Sequence, residues 1–196
     1  MRTVLLLILA ILLAALPVSS LAAPKMRPYS GIGVLQLSSV GLTEAIPLYD
    51  DPGISRCCKL EFAVFKELNS WLFGRSENPY LLVTARKAEW LEIEHDDAGR
   101  TGWILPERRW HYLPWDQFLK GRMVLFLRNS PKKLMQVVSH PGAVTGTPLT
   151  IKQAMKVIRA QGDWAYVLFD SNSSGWIRWR DSDGRLLIGF DITTTK

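Results

Sequence analysis

The chain has 196 residues, 47% of them hydrophobic, and a formal net charge of +6 from 24 basic and 18 acidic residues. That length carries one medium domain or two small ones. A disulfide framework is excluded, because the only cysteines are the neighbours Cys57 and Cys58, and neighbours close a ring only with backbone strain.

The first 23 residues read as a cleaved signal peptide. Arg2 supplies a positive start, Val4 to Val18 is an apolar run broken only by Pro17, and Ser20, Leu21, Ala22 and Ala23 suit a signal peptidase. The run is about 15 residues, short of the roughly 20 that span a bilayer; a retained anchor is the alternative. Export and a periplasmic or cell-envelope location follow from the signal reading. Cleavage after residue 23 removes Arg2 and leaves 23 − 18 = +5. Residues 24–30 read as a flexible exit.

A β unit then occurs twice. Gly33 to Leu37 and Ala45 to Tyr49 open the first copy, and Met123 to Leu127 and Leu134 to Ser139 open the second. These short apolar runs divided by Asn, Ser, Pro and Gly are hairpin signals. Pro52 and Gly53 lie over Pro141 and Gly142 at an offset of 89. The first copy next spends 27 residues (54–80) where the second spends 12 (143–154), an insertion of 15. The extra stretch holds Cys57, Cys58, Phe62, Phe65, Trp71 and Phe73. Such apolar content predicts an extra strand pair or short helix covering a hydrophobic face. Consecutive strand residues face opposite sides, so one buried and one exposed thiol are expected.

Leu81 to Ala85 and Met155 to Arg159 predict strands leading into two tryptophan-framed hairpins. One runs from Trp90 to Ile93 and ends in Gly102, Trp103 and Ile104; the other runs from Trp164 to Val167 and ends in Gly175, Trp176 and Ile177. Only Pro114 to Leu119 looks helical. Many short strands of this kind build barrels or sandwiches, and Trp103 and Trp176 are expected to dominate small cores.

The Pro-Gly pair, the W-x-x-[IV] strand and the Gly-Trp-[IV] end resemble the bacterial SH3-like (SH3b) domain. The likeness falls on Pro52, Gly53, Trp90, Ile93, Gly102, Trp103 and Ile104, and again on Pro141, Gly142, Trp164, Val167, Gly175, Trp176 and Ile177. It covers nearly all of residues 31–190; the usual N-V-R-x-G-P-G opening lacks its Asn and Arg in both copies. The resemblance implies an all-β fold of two tandem small SH3-like β-barrels with a short helical junction. The first barrel takes residues 31–112 with its insertion near 54–80, the junction 113–121, and the second barrel 122–196. It implies a non-enzymatic protein that binds cell-wall peptide or glycan, or an envelope protein partner. The alternative is a membrane-anchored adaptor or structural subunit of an envelope complex, in peripheral contact with the membrane.

No catalytic constellation competes with that reading. The three histidines lack metal-ligand spacing, and H-E-x-x-H, C-x-x-C, a G-x-S-x-G elbow and a glycine-rich phosphate loop do not occur. No cofactor or metal is implied. Nucleic acid is not expected either, because the basic segment lacks the aromatic RNA-binding motif. Between Glu107 and Lys133 seven basic residues face two acidic ones, an excess of +5, which suits an anionic partner or a solvated linker face. Arg108, Arg109, Trp110, Tyr112 and Trp115 are the candidate ligand-binding residues, in a groove between the copies.

Overall fold

The computed structural model describes residues 26–38, 45–96, 98–169 and 173–190, so the predicted signal segment lies outside the described residues. These residues form fourteen strands and three short α-helices. The chain is mostly β.

The first sheet holds β1 (Gly33–Gln36), β2 (Ile46–Asp51), β3 (Ser55–Leu60), β4 (Tyr80–Lys87), β5 (Trp90–Glu94), β6 (Thr101–Ile104) and β7 (His111–Pro114), in the order β3-β2-β6-β5-β4-β1-β7. The second half supplies β8 (Met123–Phe126), β9 (Gln136–Val137), β10 (Thr147–Pro148), β11 (Met155–Gln161), β12 (Trp164–Phe169), β13 (Ser173–Arg178) and β14 (Ile188–Phe190). Five of them form the order β13-β12-β11-β8-β14, and β9 pairs with β10. A single bridge, Val138 to Trp176, attaches the β9 end to β13. Tyr49 and Trp103 form the equivalent contact between β2 and β6. The repeat seen in the residues is thus a repeat of strand order. Barrel closure, in contrast, is not found: β3 and β7 end the first sheet without pairing to each other among the described residues, because the β2–β3 hairpin occupies the free side of β6.

Alternation sets which face each strand buries. Leu91 and Ile93 of β5 point inward between half-exposed Trp90, Glu92 and Glu94, and Ala165 and Val167 of β12 do the same between Trp164 and Tyr166. The tight turns before both tryptophans need a left-handed residue. Gly162 meets this at φ +57°, whereas Ala88, its counterpart, is held at φ +53°, against the preference of any residue with a Cβ.

Two cores result, and they share a wall. Leu35, Leu81 and Val83 face the first core with Leu48, Phe65, Ile93 and Ile104. Val34 and Leu82, on the other side of the same strands, face the second core with Val124, Val157, Val167 and Ile188. Strands buried on both faces read as continuous apolar runs, which explains Leu81-Leu82-Val83. The insertion forms β3, α1 (Phe62–Glu67) and α2 (Ser70–Phe73). It serves both cores: Phe65 and Leu68 enter the first, Leu72 and Phe73 the second. With α3 (Trp115–Leu119) it builds an aromatic seal, in which Phe73 stacks on Phe190 at 5.3 Å and Trp115 lies 5.2 Å from Trp179.

The expected flexible exit is a correction. Residues 26–30 are tied to the loop between β13 and β14. Arg27 pairs with Asp181 at 2.6 Å, Ser30 N–H donates to Gly184 O at 2.8 Å, and Leu186 N–H donates to Pro28 O at 3.0 Å. The Arg185 guanidinium sits 4.0 Å from the Tyr29 ring centre. A polar, proline-containing segment reads as loose when its partner is 154 residues away.

Candidate functional site

The outer face of the second sheet gathers aromatic rings and cations in register. Tyr166 of β12 lies opposite Arg159 of β11 and Trp176 of β13, and Trp164 lies opposite Arg178. Directly opposed side chains on one face touch. The Tyr166 and Trp176 rings are 5.4 Å apart. The Arg159 guanidinium lies 5.1 Å from the Trp176 ring centre and 5.7 Å from that of Tyr166. Arg178 sits 4.9 Å over Trp164, within the range of cation–π attraction. Tyr166 and Ser174 hydroxyls share a 2.7 Å hydrogen bond.

Beside Trp164 opens a groove of about 300 Å³, lined by Lys133, Gln136, Gly142, Trp164 and Arg178. Lys133, Arg159 and Arg178 have no carboxylate partner among the described residues. Three uncompensated cations around an aromatic floor give this face a positive local potential. Gly175 lets the sheet close up next to it. A Cβ there would collide with Val137 Cγ2, so the glycine before Trp176 is required by a crossing strand. At Gly102 a Cβ would meet Leu48 at an ordinary 3.5 Å.

The first sheet has put other chemistry at the equivalent positions. Glu92 takes the place of Tyr166 and accepts hydrogen bonds from Thr84 Oγ1 (2.6 Å) and Thr101 Oγ1 (2.9 Å). Tyr49 packs edge-on to Trp90 at 5.0 Å, where the second half has Val138 at the matching position. The copies share a frame and differ in surface.

The five residues singled out in the junction do not form one surface. Arg108 is exposed, and Arg109 pairs with Glu107 at 2.7 Å. Trp110 is buried in the first core, where its Nε1 has no hydrogen-bond partner among the described residues. Tyr112 is half-buried, with its hydroxyl donating to Ile32 O at 3.0 Å and burial pushing its phenol up from the ordinary value. Trp115 is buried in the second core and donates from Nε1 to Ser30 O at 2.8 Å. The segment crosses from one core to the other through β7, and this passage turns both tryptophans inward. The signal for the outer face lay elsewhere: Trp164 and Tyr166 alternate with inward Ala165 and Val167, so the cations directly opposite them on the neighbouring strands, Arg178 and Arg159, join them.

Cys57 is exposed and Cys58 half-buried, with sulfurs 3.2 Å apart and no bridge. Burial first, then the hydrogen bond and charge of Cys57, pushes the Cys58 thiol up to about 11. A thiol in that range stays protonated at neutral pH and is a poor nucleophile. Among the described residues no group of three His, Cys, Asp or Glu side chains could hold a metal ion, and no helix is long and apolar enough to cross a membrane. Compared with protein-family models and with curated proteins, the sequence matches none.

Proposed function

We propose that this is a non-enzymatic binding protein of two tandem SH3-like units, whose second unit receives an anionic ligand across the outer face of β11, β12 and β13. The observation that carries the reading is Arg178 stacked over Trp164 at the edge of a groove that also contains Lys133, whereas in the first unit the ring of Tyr49 packs against Trp90. The SH3-like frame is supported by the repeated order, in which the last strand of each unit (β7, β14) returns to pair with its first (β1, β8). The Gly-Trp ends of both hairpins support it as well.

The ligand class is a carboxylate- or phosphate-bearing cell-wall peptide or glycan, or an acidic segment of an envelope protein. Aromatic faces take the apolar side of a sugar or peptide, while guanidinium groups hold carboxylates in charge-assisted pairs. Export to the periplasm, read from the N-terminal apolar run, would bring the protein to such partners.

Co-sedimentation with purified peptidoglycan tests the proposal. Trp164→Ala and Arg178→Ser should each weaken binding by about tenfold, ~1.4 kcal/mol, and raised salt should weaken the wild type as charges are screened. Wild-type binding retained by both variants, at low and high salt alike, refutes it.

A further inference from the structure

A second cleft, on the side of the N-terminal arm, is independent of that face. It has a volume of about 240 Å³ and is lined by Arg27, Tyr29, Asn69, Trp71, Glu94 and Arg185, among others. The arm, the α1–α2 connection, the end of β5 and the β13–β14 loop each contribute to it. Its volume lies below the roughly 300–1,000 Å³ of pockets for drug-sized ligands, so its occupant is small.

The cleft holds two charges of opposite sign without ionic partners among the described residues. Arg27 is compensated by Asp181, and Asp96, which also lines the cleft, by Arg100. Glu94 accepts no side-chain hydrogen bond or ion pair among the described residues, and burial, then neighbouring Asp96, raises its pKa above the ordinary value. Arg185 donates to Arg27 O at 2.7 Å and to the Tyr29 hydroxyl at 2.9 Å. That uses two of the five N–H donors of a guanidinium, and no carboxylate among the described residues pairs with it. Asn69, 6% exposed, lines the same wall, and its Nδ2 is buried with no hydrogen-bond partner among the described residues. An amide donor left in this state disfavours the fold unless an acceptor arrives. Trp71, 37% exposed, and Tyr29, 49% exposed, provide aromatic flanks.

We propose that this cleft binds a small zwitterion, a free amino acid or a dipeptide, with its ammonium group against Glu94 and its carboxylate against Arg185 and the Asn69 amide. Each end of such a ligand supplies what the wall lacks: a cation for an unpaired carboxylate, and acceptor oxygens for spare donors. The aromatic flanks take the side chain. A ligand with one charge would satisfy one end and leave the other exposed to desolvation without compensation.

Saturation-transfer NMR on the full chain, first with a mixture of the standard amino acids and then with glycyl-leucine, tests this at millimolar concentration. At least one free amino acid or the dipeptide should show transfer, and which of them does so separates the two sources. N-acetylation or C-amidation of the bound compound should each weaken binding by about tenfold or more. Glu94→Gln should weaken the zwitterion similarly while its melting temperature and near-ultraviolet circular dichroism report an intact fold. No transfer to any of these compounds overturns the proposal. Equal binding of capped and uncapped forms, or unchanged binding in a folded Glu94→Gln variant, does so too.

Discussion

Asp181→Ala should unfasten the N-terminal arm, and the size of the effect follows from what the carboxylate holds. Its oxygens accept from Arg27 at 2.6 Å and from the backbone N–H groups of Arg185 at 2.9 Å and Asp183 at 3.0 Å. The two charged side chains are only 13% and 9% exposed. Removing one partner of a buried pair strands the other, which costs about 3–5 kcal/mol, a large part of a typical stability of about 5–15 kcal/mol. Urea unfolding at pH 7 measures it, and Arg27→Met should cost a similar amount. The double variant should cost less than the single changes, because neither charge is then left buried without its partner. Burial pushes the Asp181 carboxyl up, but the Arg185 N–H, Arg27 and the Asp183 N–H together hold it below its ordinary 3.8. A depressed carboxyl contributes stability above 3.8 that is lost as pH falls through the folded value, so wild type and variant should converge in acid. A loss under about 1 kcal/mol at pH 7 would refute the clamp.

Ala88→Gly should stabilise the protein by about 1 kcal/mol, since Ala88 holds a left-handed φ of +53° that costs a Cβ-bearing residue; a lowered urea midpoint would count against the strain argument. Trp176→Ala, at 7% exposure, should cost about 3–5 kcal/mol, and Trp103→Ala, half-buried, clearly less; equal losses in thermal unfolding would show that the two sites are equivalent. Glu94→Gln should raise stability at pH 7, because an acid whose folded pKa lies above 4.5 penalises the folded state once ionised. The gain should vanish as pH falls from that raised value to 4.5, and unfolding curves across this range would expose an error of sign.

The parts of this fold that were readable from the residues are those with local causes. Period-2 alternation marked both tryptophan hairpins, Pro114 to Leu119 contains the α3 helix, and the offset of 89 between Gly53 and Gly142 anticipated the repeated strand order. What was not readable depends on distant partners. Nothing near Arg27 announces Asp181, and an apolar run such as Leu81-Leu82-Val83 does not say that its two faces serve different cores. The junction was misleading because Trp110 and Trp115 lie among cations, and charge near an aromatic residue looks the same whether the ring points out or in. The outer face of the second sheet needs three strands in register, so the placing of Arg159, Tyr166 and Arg178 on it follows only from the pairing.

The single layer of β1 and β4 between the cores has an evolutionary consequence. Tandem copies joined by a free linker can be shuffled, reordered or lost one at a time. Here Val34 and Leu82 belong by sequence to the first copy and by contact to the second core, and Leu72 and Phe73 of the insertion join them there. Excising either copy would therefore leave apolar surface open on both fragments. The two halves therefore stand or fall as one inheritable unit, and change in either outer face proceeds on a frame that both halves hold up.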